Sequence, residues 1–312
     1  MKFSIVIPLY NKAPYIQRAI NSVLNQTYQK FELIVVDDGS TDQGADLVKK
    51  IPDPRVKLIQ QENSGASIAR NHGVMESEAN YIAFLDADDE WKRDQLTIFK
   101  QLIEKYSECS FFAQSYEYRY QNRTIIPTSL RKIPFNWTGY LNNYLELAAE
   151  FPPFFSSSVC IRKDLIMNSG GFPEGVIIVE DISMWLKLFF ITKIAFCHSL
   201  NSIYHFGETN NISLSQNLKF GYFEKSLEKY LIECNFDRKV KKDLYEYYTS
   251  RLLDIVSQCL VYESKSYCHS LLQKCNLTEK YKIRWYRLYT LSYLPNWVYK
   301  IMFLTWKMIK KF

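Results

Sequence analysis

Two clusters of carboxylates in the first 90 residues have the residue types and spacing to bind a cation or a hydrogen-bond donor. Each cluster directly follows a β-rich apolar run: Asp37 and Asp38 follow residues 32–36, and Asp86, Asp88 and Asp89 follow residues 81–85. Ligands of α/β sheets gather outside the carboxyl ends of the strands, so we expect both clusters to face one crevice. Asp is also common in ordinary turns, and that alternative would explain either cluster alone.

The spacing of Asp86 and Asp88 predicts a metal site. They are two residues apart at a predicted strand end, where both can approach one hard cation. Mn²⁺ and Mg²⁺ prefer oxygen ligands, take one or two protein carboxylates, and complete their shells with substrate phosphates. We therefore expect a divalent cation and a phosphorylated substrate. An EF-hand is excluded because Trp91 stands at the loop position that needs Gly. The chain also contains no P-loop sequence and no G-x-G-x-x-G sequence of a dinucleotide site.

The elements that must position these residues alternate as in a mainly parallel α/β sheet. Predicted strands near residues 3–7, 31–36, 55–60 and 81–85 alternate with predicted helices near 14–25, 42–50 and 66–76. Further predicted elements are a helix near 94–106, strands near 110–118 and 156–162, and helical runs over 220–234 and 239–262. We expect an α/β domain over residues 1–215 and a helical C-terminal region over 216–312.

Five segments, in their order along the chain, resemble glycosyltransferase family 2, which has the GT-A fold: residues 4–11, 22–27, 35–42, 63–73 and 84–89. The resemblance is strong over about the first 90 residues and weaker to about residue 215. It implies an inverting enzyme that moves a sugar from a nucleotide-sugar donor, UDP-linked, to an acceptor hydroxyl with a divalent cation as cofactor.

Carried over residue by residue, the resemblance implies a donor site at the strand ends. Pro8 and Tyr10 would line the nucleotide base, and Asp38 would accept a hydrogen bond from the imide N–H of uracil. Asp37 would be a helper, hydrogen-bonded to the backbone of its turn. For Tyr10, a position in the core is the alternative interpretation.

The same resemblance implies groups around the diphosphate. Arg70 would lie beside the phosphates, where a planar cationic fork suits their geometry; a plain surface position is the alternative. Asp86 would contact the ribose or the metal, and Asp88 would bind the metal. His205 would complete the metal shell, although its neighbours depart from the family's pattern, and a structural histidine is an equal alternative.

A candidate general base precedes an amphipathic helix. Glu180 and Asp181 come directly before apolar residues at helical spacing, where the helix macrodipole alone would favour acidic side chains. Together with the Gly-Gly-Phe-Pro segment at 170–173, they resemble the family's Glu-Asp motif, whose Asp is the catalytic base. We therefore assign Asp181 as the base and keep Glu180 as the alternative.

Composition restricts the class of protein, the state of its cysteines and its location. Hydrophobic residues make up 47% of the 312 residues and charged residues 23%, which is typical of a globular protein. The seven cysteines form no C-x-x-C pair, so we expect reduced core thiols. We find no signal peptide and no membrane-spanning run, which predicts a cytoplasmic location.

The last 33 residues, Lys280 to Phe312, hold eight Lys or Arg, no Asp or Glu, and ten aromatic residues. This composition is typical of contact with an anionic membrane surface, here the inner face of the cell membrane. A helical cap with inward aromatics is the alternative. Nucleic acid is a weaker candidate partner, because the remainder of the chain is slightly acidic.

The family resemblance implies a hexosyl- or N-acetylhexosaminyl-transferase in surface polysaccharide or lipopolysaccharide biosynthesis. Together with the basic tail, it suggests a lipid-linked saccharide as the acceptor. Two rivals remain open. A sugar-1-phosphate nucleotidyltransferase could share the sheet, but it would need a Gly-rich basic loop after the first strand. The second rival is a catalytically silent, membrane-associated subunit of a glycan assembly complex. Residue identities do not determine the donor sugar, the acceptor or the linkage.

Overall fold

The computed structural model describes residues 1–120, 123–176, 180–206, 229–230, 236–262, 265–295 and 298. The chain divides into two compact units, one made of Met1–Tyr144 with Phe151–Ile212 and the other of Leu145–Glu150 with Ser213–Phe312. The domain boundary predicted near residue 215 lies outside the described residues.

The first half of the first unit alternates strands and helices as predicted. Its elements are β1 (Phe3–Leu9), α1 (Ala13–Leu24), β2 (Phe31–Asp38), α2 (Gly44–Lys49), β3 (Val56–Gln61), α3 (Ala66–Met75) and β4 (Tyr81–Phe84). The apolar stripe predicted for the first helix is confirmed, since Ile16, Ala19, Ile20 and Val23 of α1 are buried. Gly73 lets α3 approach β1 closely, because a Cβ there would lie 2.4 Å from Val6 Cγ1.

The second half of this unit adds strands of both directions. The elements from here to residue 205 are β5 (Glu90–Trp91), α4 (Gln95–Lys105), β6 (Phe111–Tyr120), β7 (Arg123–Ile125), a 3₁₀ turn (Thr128–Lys132), β8 (Thr138–Tyr140), α5 (Tyr144–Glu150), a second 3₁₀ turn (Ser156–Ser158), β9 (Val159–Arg162), α6 (Lys163–Asn168), α7 (Glu180–Ile191) and β10 (Ile194–His205). All of them belong to the first unit except α5, which from Leu145 onward belongs to the second.

These strands form one sheet in the order β3-β2-β1-β4-β9-β6-β10-β5, with β7 beside β6 and β8 beside β10. The β3-β2-β1-β4 part is parallel, as predicted, and β10 is parallel to β6. Strand β9 runs antiparallel to both β4 and β6. The carboxyl ends of β1, β2, β4, β6 and β10 therefore share one edge with the start of β9.

One predicted strand is shorter than expected. Residues 156–158 form a 3₁₀ turn rather than the beginning of the strand predicted over 156–162. The physical reason lies in Ser158, whose hydroxyl donates to the carbonyl of Phe155 at 3.0 Å and accepts from the N–H of Phe155 at 2.9 Å. Such local side-chain bonds compete with the strand ladder. The turn lies beside the carboxyl end of β4.

The described part of the second unit is helical. It contains α8 (Arg238–Tyr262), α9 (Lys265–Gln273) and α10 (Glu279–Ser292). The helix predicted over 239–262 is thus confirmed, whereas almost all of the one predicted over 220–234 lies outside the described residues. On α10, Tyr281, Leu288 and Leu291 are buried. Among the helices that the structure describes, none combines the length and apolar character needed to cross a bilayer.

Candidate active site

A buried guanidinium connects two acidic segments of the candidate site. Arg70, on α3, is only 4% exposed, and its Nη1 lies 2.9 Å from Glu180 Oε1 while its Nη2 lies 2.8 Å from Asp86 Oδ1. The Phe172 ring lies against the same guanidinium, 5.4 Å from Cζ to the ring centroid. The surface interpretation of Arg70 is therefore wrong. A planar fork suits two carboxylates at once, so Arg70 brings the end of β4 and the start of α7 together.

The loop before α7 is tied to the same helix. The side chain of Asn71 donates to the carbonyl of Phe172 at 2.9 Å and accepts from its N–H at 2.8 Å. Gly171 lies within this loop at φ +70°, and a Cβ there would come within 2.6 Å of Asn71 Oδ1. The loop can pass this close to Asn71 only because residue 171 has no side chain.

Asp38 binds the segment that leads into α3. Its carboxylate accepts hydrogen bonds from Gln61 Nε2 at 2.7 Å and from the backbone N–H groups of Ser64 and Gly65, each at 2.8 Å. A carboxylate has about four acceptor positions. By this count, one acceptor position of the buried Asp38 carboxylate is not used by these three bonds. The bond from Asp38 to a uracil N–H stays a prediction.

Asp37 and Asn11 stabilise the turn after β2. The Asp37 carboxylate accepts from the N–H of Ser40 at 3.1 Å, which is the backbone contact expected of a helper residue. Asn11 has a φ of +51°, a left-handed conformation that Asn tolerates, and its Oδ1 accepts from the N–H of Thr41 at 2.8 Å. The loops after β1 and β2 are therefore held together by side-chain bonds.

Pro8 and Tyr10 stand at the carboxyl end of β1. Tyr10 is 48% exposed and Pro8 is half-buried, so the core interpretation of the Tyr10 ring is wrong. Both side chains are accessible at the edge where Asp38 lies. Their contact with a nucleotide base stays a prediction.

Ser157 holds the acidic segment after β4. Its Oγ donates to Asp89 Oδ2 at 2.6 Å and accepts from the backbone N–H of Asp86 at 3.0 Å. The N–H of His205 also donates to Asp89, at 3.3 Å. Burial, with the nearby charges of Asp88 and Asp86, raises the pKa of Asp89 well above its usual value. Asp89 is thus a buried structural acid, and Asp86 and Asp88 are the accessible members of the cluster.

Asp88 is paired with a cation that the sequence analysis did not identify. Lys12 Nζ lies 2.9 Å from Asp88 Oδ2, and the Arg18 guanidinium donates to the backbone carbonyl of Asp88. Both cations come from the loop after β1 and from α1. They concentrate positive charge next to the accessible carboxylates, where a diphosphate would place negative charge.

Glu180 and Asp181 begin α7 in a crowded ionic environment. Burial raises the pKa of Glu180 to about 7, although Arg70 opposes the rise. Burial also raises the pKa of Asp181, while Arg70 and the hydrogen bond from Ser156 oppose it. Ser156 Oγ donates to Asp181 Oδ2 at 2.9 Å. Glu180 is therefore engaged with Arg70, and Asp181 is held by a neutral hydroxyl.

His205 makes other contacts than those expected of a metal ligand. It is buried, and its Nε2 lies 3.2 Å from Glu90 Oε2. This hydrogen bond lowers the pKa of Glu90. In the described part of the chain no three His, Cys, Asp or Glu residues converge on a common metal position. The contact with Glu90 suits the structural alternative for His205, and its role beside Asp86 and Asp88 in a metal shell stays a prediction.

The remaining pair fits a cation of the predicted kind. The Asp86 and Asp88 side chains are 27% and 21% exposed, so carboxylate oxygens of both are reachable from solvent. Mn²⁺ or Mg²⁺ can be held by one or two carboxylates when substrate phosphates supply further oxygens. The donor set therefore suits a cation that arrives together with a phosphorylated ligand.

Sequence reasoning missed Lys12, Ser156 and Ser157. The two serines belong to a run that looked like the beginning of a strand, and no pattern in the sequence marks them as partners of acids far away in the chain. Lys12 follows one of the segments that carry the family resemblance, so its position beside the first strand end was a usable signal.

Comparison with solved structures shows the fold. The chain superposes on Staphylococcus aureus TarS residues 1–349 in complex with UDP-GlcNAc with a TM-score of 0.65 and 21% identity, covering 92% of this chain and 79% of the TarS 1–349 chain. A second TarS structure gives a TM-score of 0.66 and 20% identity, with 93% and 53% coverage. The predicted GT-A type of fold is confirmed.

Curated relatives match the N-terminal part of the chain. The glycosyltransferase GlyA of Streptococcus pneumoniae is 38% identical over 106 residues, which is 33% of this chain and 15% of GlyA. The putative teichuronic acid biosynthesis glycosyltransferase TuaG of Bacillus subtilis is 37% identical over 124 residues, 39% of this chain and 49% of TuaG. The matches thus cover less than half of either relative's length.

The profile described as glycosyl transferase family 2 matches residues 4–166, which is more than half of the 312 residues. This range includes the ends of β1, β2 and β4 and the serines of the second 3₁₀ turn. This chain therefore belongs to glycosyl transferase family 2.

Proposed function

We propose that this protein is an inverting glycosyltransferase that moves a sugar from a UDP-linked donor to a hydroxyl group of a saccharide acceptor. The observation that carries the proposal is the position of Arg70, which joins Asp86 of the acidic segment to Glu180, the neighbour of Asp181. Groups for the donor phosphates and for the acceptor proton are thereby held in one place. Family membership and the UDP-GlcNAc bound to the similarly folded TarS support a UDP-sugar donor.

The donor would be held along the carboxyl ends of β1, β2 and β4. Pro8 and Tyr10 would contact the base, and Asp38 would accept a hydrogen bond at its remaining acceptor position. Arg70 and Lys12 would face the negative diphosphate. Asp86 and Asp88 would hold a divalent cation, which would supply electrostatic stabilisation of the leaving diphosphate.

Asp181 would act as the general base in a single displacement. An ordinary carboxylate is too weak to deprotonate a sugar hydroxyl in the ground state, so it would take the proton as the hydroxyl attacks the anomeric carbon. Burial raises the pKa of Asp181 and thereby makes it a better proton acceptor. Ser156 would orient the carboxylate through the bond to Oδ2. Inversion follows from attack on the face opposite the diphosphate.

We also propose a lipid-linked acceptor and peripheral attachment to the inner face of the cell membrane. On α10, Ile283 is 85% exposed, and Tyr286, Arg287 and Tyr293 are exposed at helical spacing from it. This outer stripe of apolar, aromatic and basic side chains suits an anionic bilayer surface. Within the second unit, Arg284 of α10 pairs with Asp254 of α8. Residues 299–312 lie outside the described residues.

A thermal-shift experiment with a panel of nucleotide sugars and Mn²⁺ tests the donor and metal sites together. We expect UDP-sugars to raise the melting temperature more with Mn²⁺ than without it. Asp88→Ala should remove the metal-dependent part, whereas the control Asp46→Ala, an exposed acid of α2, should retain it. An unchanged metal dependence in Asp88→Ala would contradict the proposal.

The two rival functions give other outcomes in activity assays. A sugar-1-phosphate nucleotidyltransferase would release pyrophosphate from UTP and a sugar-1-phosphate. A catalytically silent subunit would bind UDP with Mn²⁺ without hydrolysing or transferring any sugar. Slow release of UDP from a UDP-sugar by the purified chain, lost in Asp181→Asn, is the result that the proposal requires.

A further inference from the structure

Seven aromatic side chains form a connected cluster at the carboxyl edge of the sheet, and we name this set the aromatic platform. They come from β6, from the end of β10 and from the segment before β9: Tyr116, Tyr118, Tyr120, Phe151, Phe155, Tyr204 and Phe206. The Tyr116 and Phe155 ring centroids are 4.5 Å apart, and those of Tyr118 and Tyr204 are 5.0 Å apart.

At its two ends the platform is next in sequence to residues that contact Asp181 and Asp89. Phe155 directly precedes Ser156, whose hydroxyl binds Asp181. Tyr204 directly precedes His205, whose N–H binds Asp89 of the acidic segment. The ring centroids of Phe155 and Tyr204 are 5.4 Å apart, so the two ends are in contact. Burial, and then the charges of the acidic segment, raise the pKa of Tyr204, which is consistent with this proximity.

Exposure increases across the platform from the interior to the surface. Tyr116 is 1% exposed, Tyr118 and Tyr204 are half-buried, and Phe206 is 48% exposed. A polar edge accompanies the rings, because Arg119 Nη1 lies 3.7 Å from Glu90 Oε2 and both side chains are partly exposed. Accessible aromatic surface next to a few polar groups is typical of a ligand site.

The order of strands indicates which of the two substrates would lie beside the platform. Asp38 and Tyr10 lie at the ends of β2 and β1, whereas the platform lies on β6 and β10, beyond β4 and β9 in the sheet. In a single displacement the attacking hydroxyl must approach from the side opposite the leaving diphosphate. With the nucleotide on β1 and β2, the acceptor is therefore expected on the side of β6 and β10.

From this arrangement we infer that the aromatic platform is the acceptor subsite and that it binds a pyranose ring of the acceptor saccharide, with Phe206 against an apolar C–H face. This inference rests on the proposed transferase function. The negative face of an aromatic ring attracts the weakly positive C–H groups of a sugar. Arg119 and Glu90 supply a donor and an acceptor for sugar hydroxyls beside the rings.

Saturation-transfer NMR on the full chain with UDP and Mg²⁺ tests the inference. The probes are methyl β-glucopyranoside, methyl β-galactopyranoside and the methyl β-glycoside of N-acetylglucosamine, with sorbitol as a polyol that has no ring face. We expect transfer from aromatic protons to the C–H protons of one ring face of at least one pyranoside, and less to sorbitol. Phe206→Ala should weaken binding roughly threefold to tenfold.

Two matched variants separate the subsite from general effects. Phe206→Trp should retain binding, and so should Phe135→Ala, which removes another exposed aromatic side chain, one that packs on His198. Equal transfer in wild type and Phe206→Ala, or no pyranoside above sorbitol, would overturn the inference. If UDP with metal failed to stabilise the wild type, the proposed function itself would fail. UDP stabilisation without pyranoside binding would remove only the acceptor subsite.

Discussion

Arg70 and Glu180, which are 110 positions apart in the sequence, form an ion pair with 2.9 Å between Nη1 and Oε1. The same guanidinium binds Asp86, so one buried cation is shared by carboxylates from β4 and α7. Burial, together with the neighbouring charge of Asp181, raises the pKa of Glu180 to about 7, although Arg70 opposes the rise. This raised pKa makes the stability of the chain depend on pH.

Glu180→Gln should remove part of that pH dependence. The pKa of Glu180 is about 7 in the folded chain against an ordinary value of 4.5, so the folded state keeps a proton that the unfolded state loses. The stabilising effect of this proton is fully present below pH 4.5 and is lost as the pH rises toward 7. Urea unfolding of both proteins between these pH values should show wild-type stability falling relative to the variant. Parallel curves would contradict the assignment.

Asp181→Asn should separate binding from transfer. The amide keeps the shape of the side chain but cannot take the proton, so we expect transfer to fall by ~10²- to 10⁴-fold. UDP-induced thermal stabilisation should be unchanged, because no donor contact is lost. Transfer at the wild-type rate would place the base elsewhere, and Glu180→Gln would then be the variant to compare.

Ser156→Ala should shift the acidic limb of the pH–rate profile. The Ser156 hydroxyl donates to Asp181, and such a bond favours the charged carboxylate and lowers its pKa. Without it the pKa of Asp181 should rise, so activity should decline at a higher pH than in wild type when the pH is lowered. Ser156→Thr, which keeps a hydroxyl, is the control. Superimposable profiles for wild type and Ser156→Ala would contradict a positioning role.

Ser157→Ala should destabilise the fold more than a neighbouring substitution does. The Ser157 hydroxyl donates to the buried carboxylate of Asp89 and accepts from the backbone of Asp86. Leaving a buried polar atom without its partner costs about 1–3 kcal/mol, against about 0.5–1.5 kcal/mol for an ordinary hydrogen bond. Ser158→Ala, which loses bonds only to the backbone of Phe155, is the matched control. Denaturant titration of the full chain gives both values.

Ile283→Asp should weaken binding to anionic vesicles. Ile283 is the most exposed apolar side chain of the outer stripe of α10, so its replacement should leave the packing of that helix intact. Burial of an Ile side chain contributes about 1.5–3 kcal/mol, so we expect roughly a tenfold or larger loss in partition to vesicles with phosphatidylglycerol. Met75→Asp, an exposed position of the first unit, is the control. Equal sedimentation of all three proteins would argue against membrane contact through α10.

The sequence by itself determined the parallel half of the sheet and the acidic ends of its strands. Apolar periodicity is a local property, and it indicated β1 to β4, α1 to α3 and α8 within a few residues. The carboxylates at strand ends, Asp38, Asp86 and Asp88, are visible in the linear pattern, whereas Glu180 and Asp181 became candidates through their resemblance to the family's Glu-Asp motif.

Only the tertiary structure decided which of these groups act on each other. The antiparallel course of β9 brings Ser156 and Ser157 to the carboxyl end of β4, and no sequence pattern encodes that long-range pairing. The partners of Arg70, Asp88 and His205 likewise depend on contacts between segments far apart in the chain. Hydrogen bonds and pKa values are set by distance and burial, so they follow from the packed fold and not from residue identity.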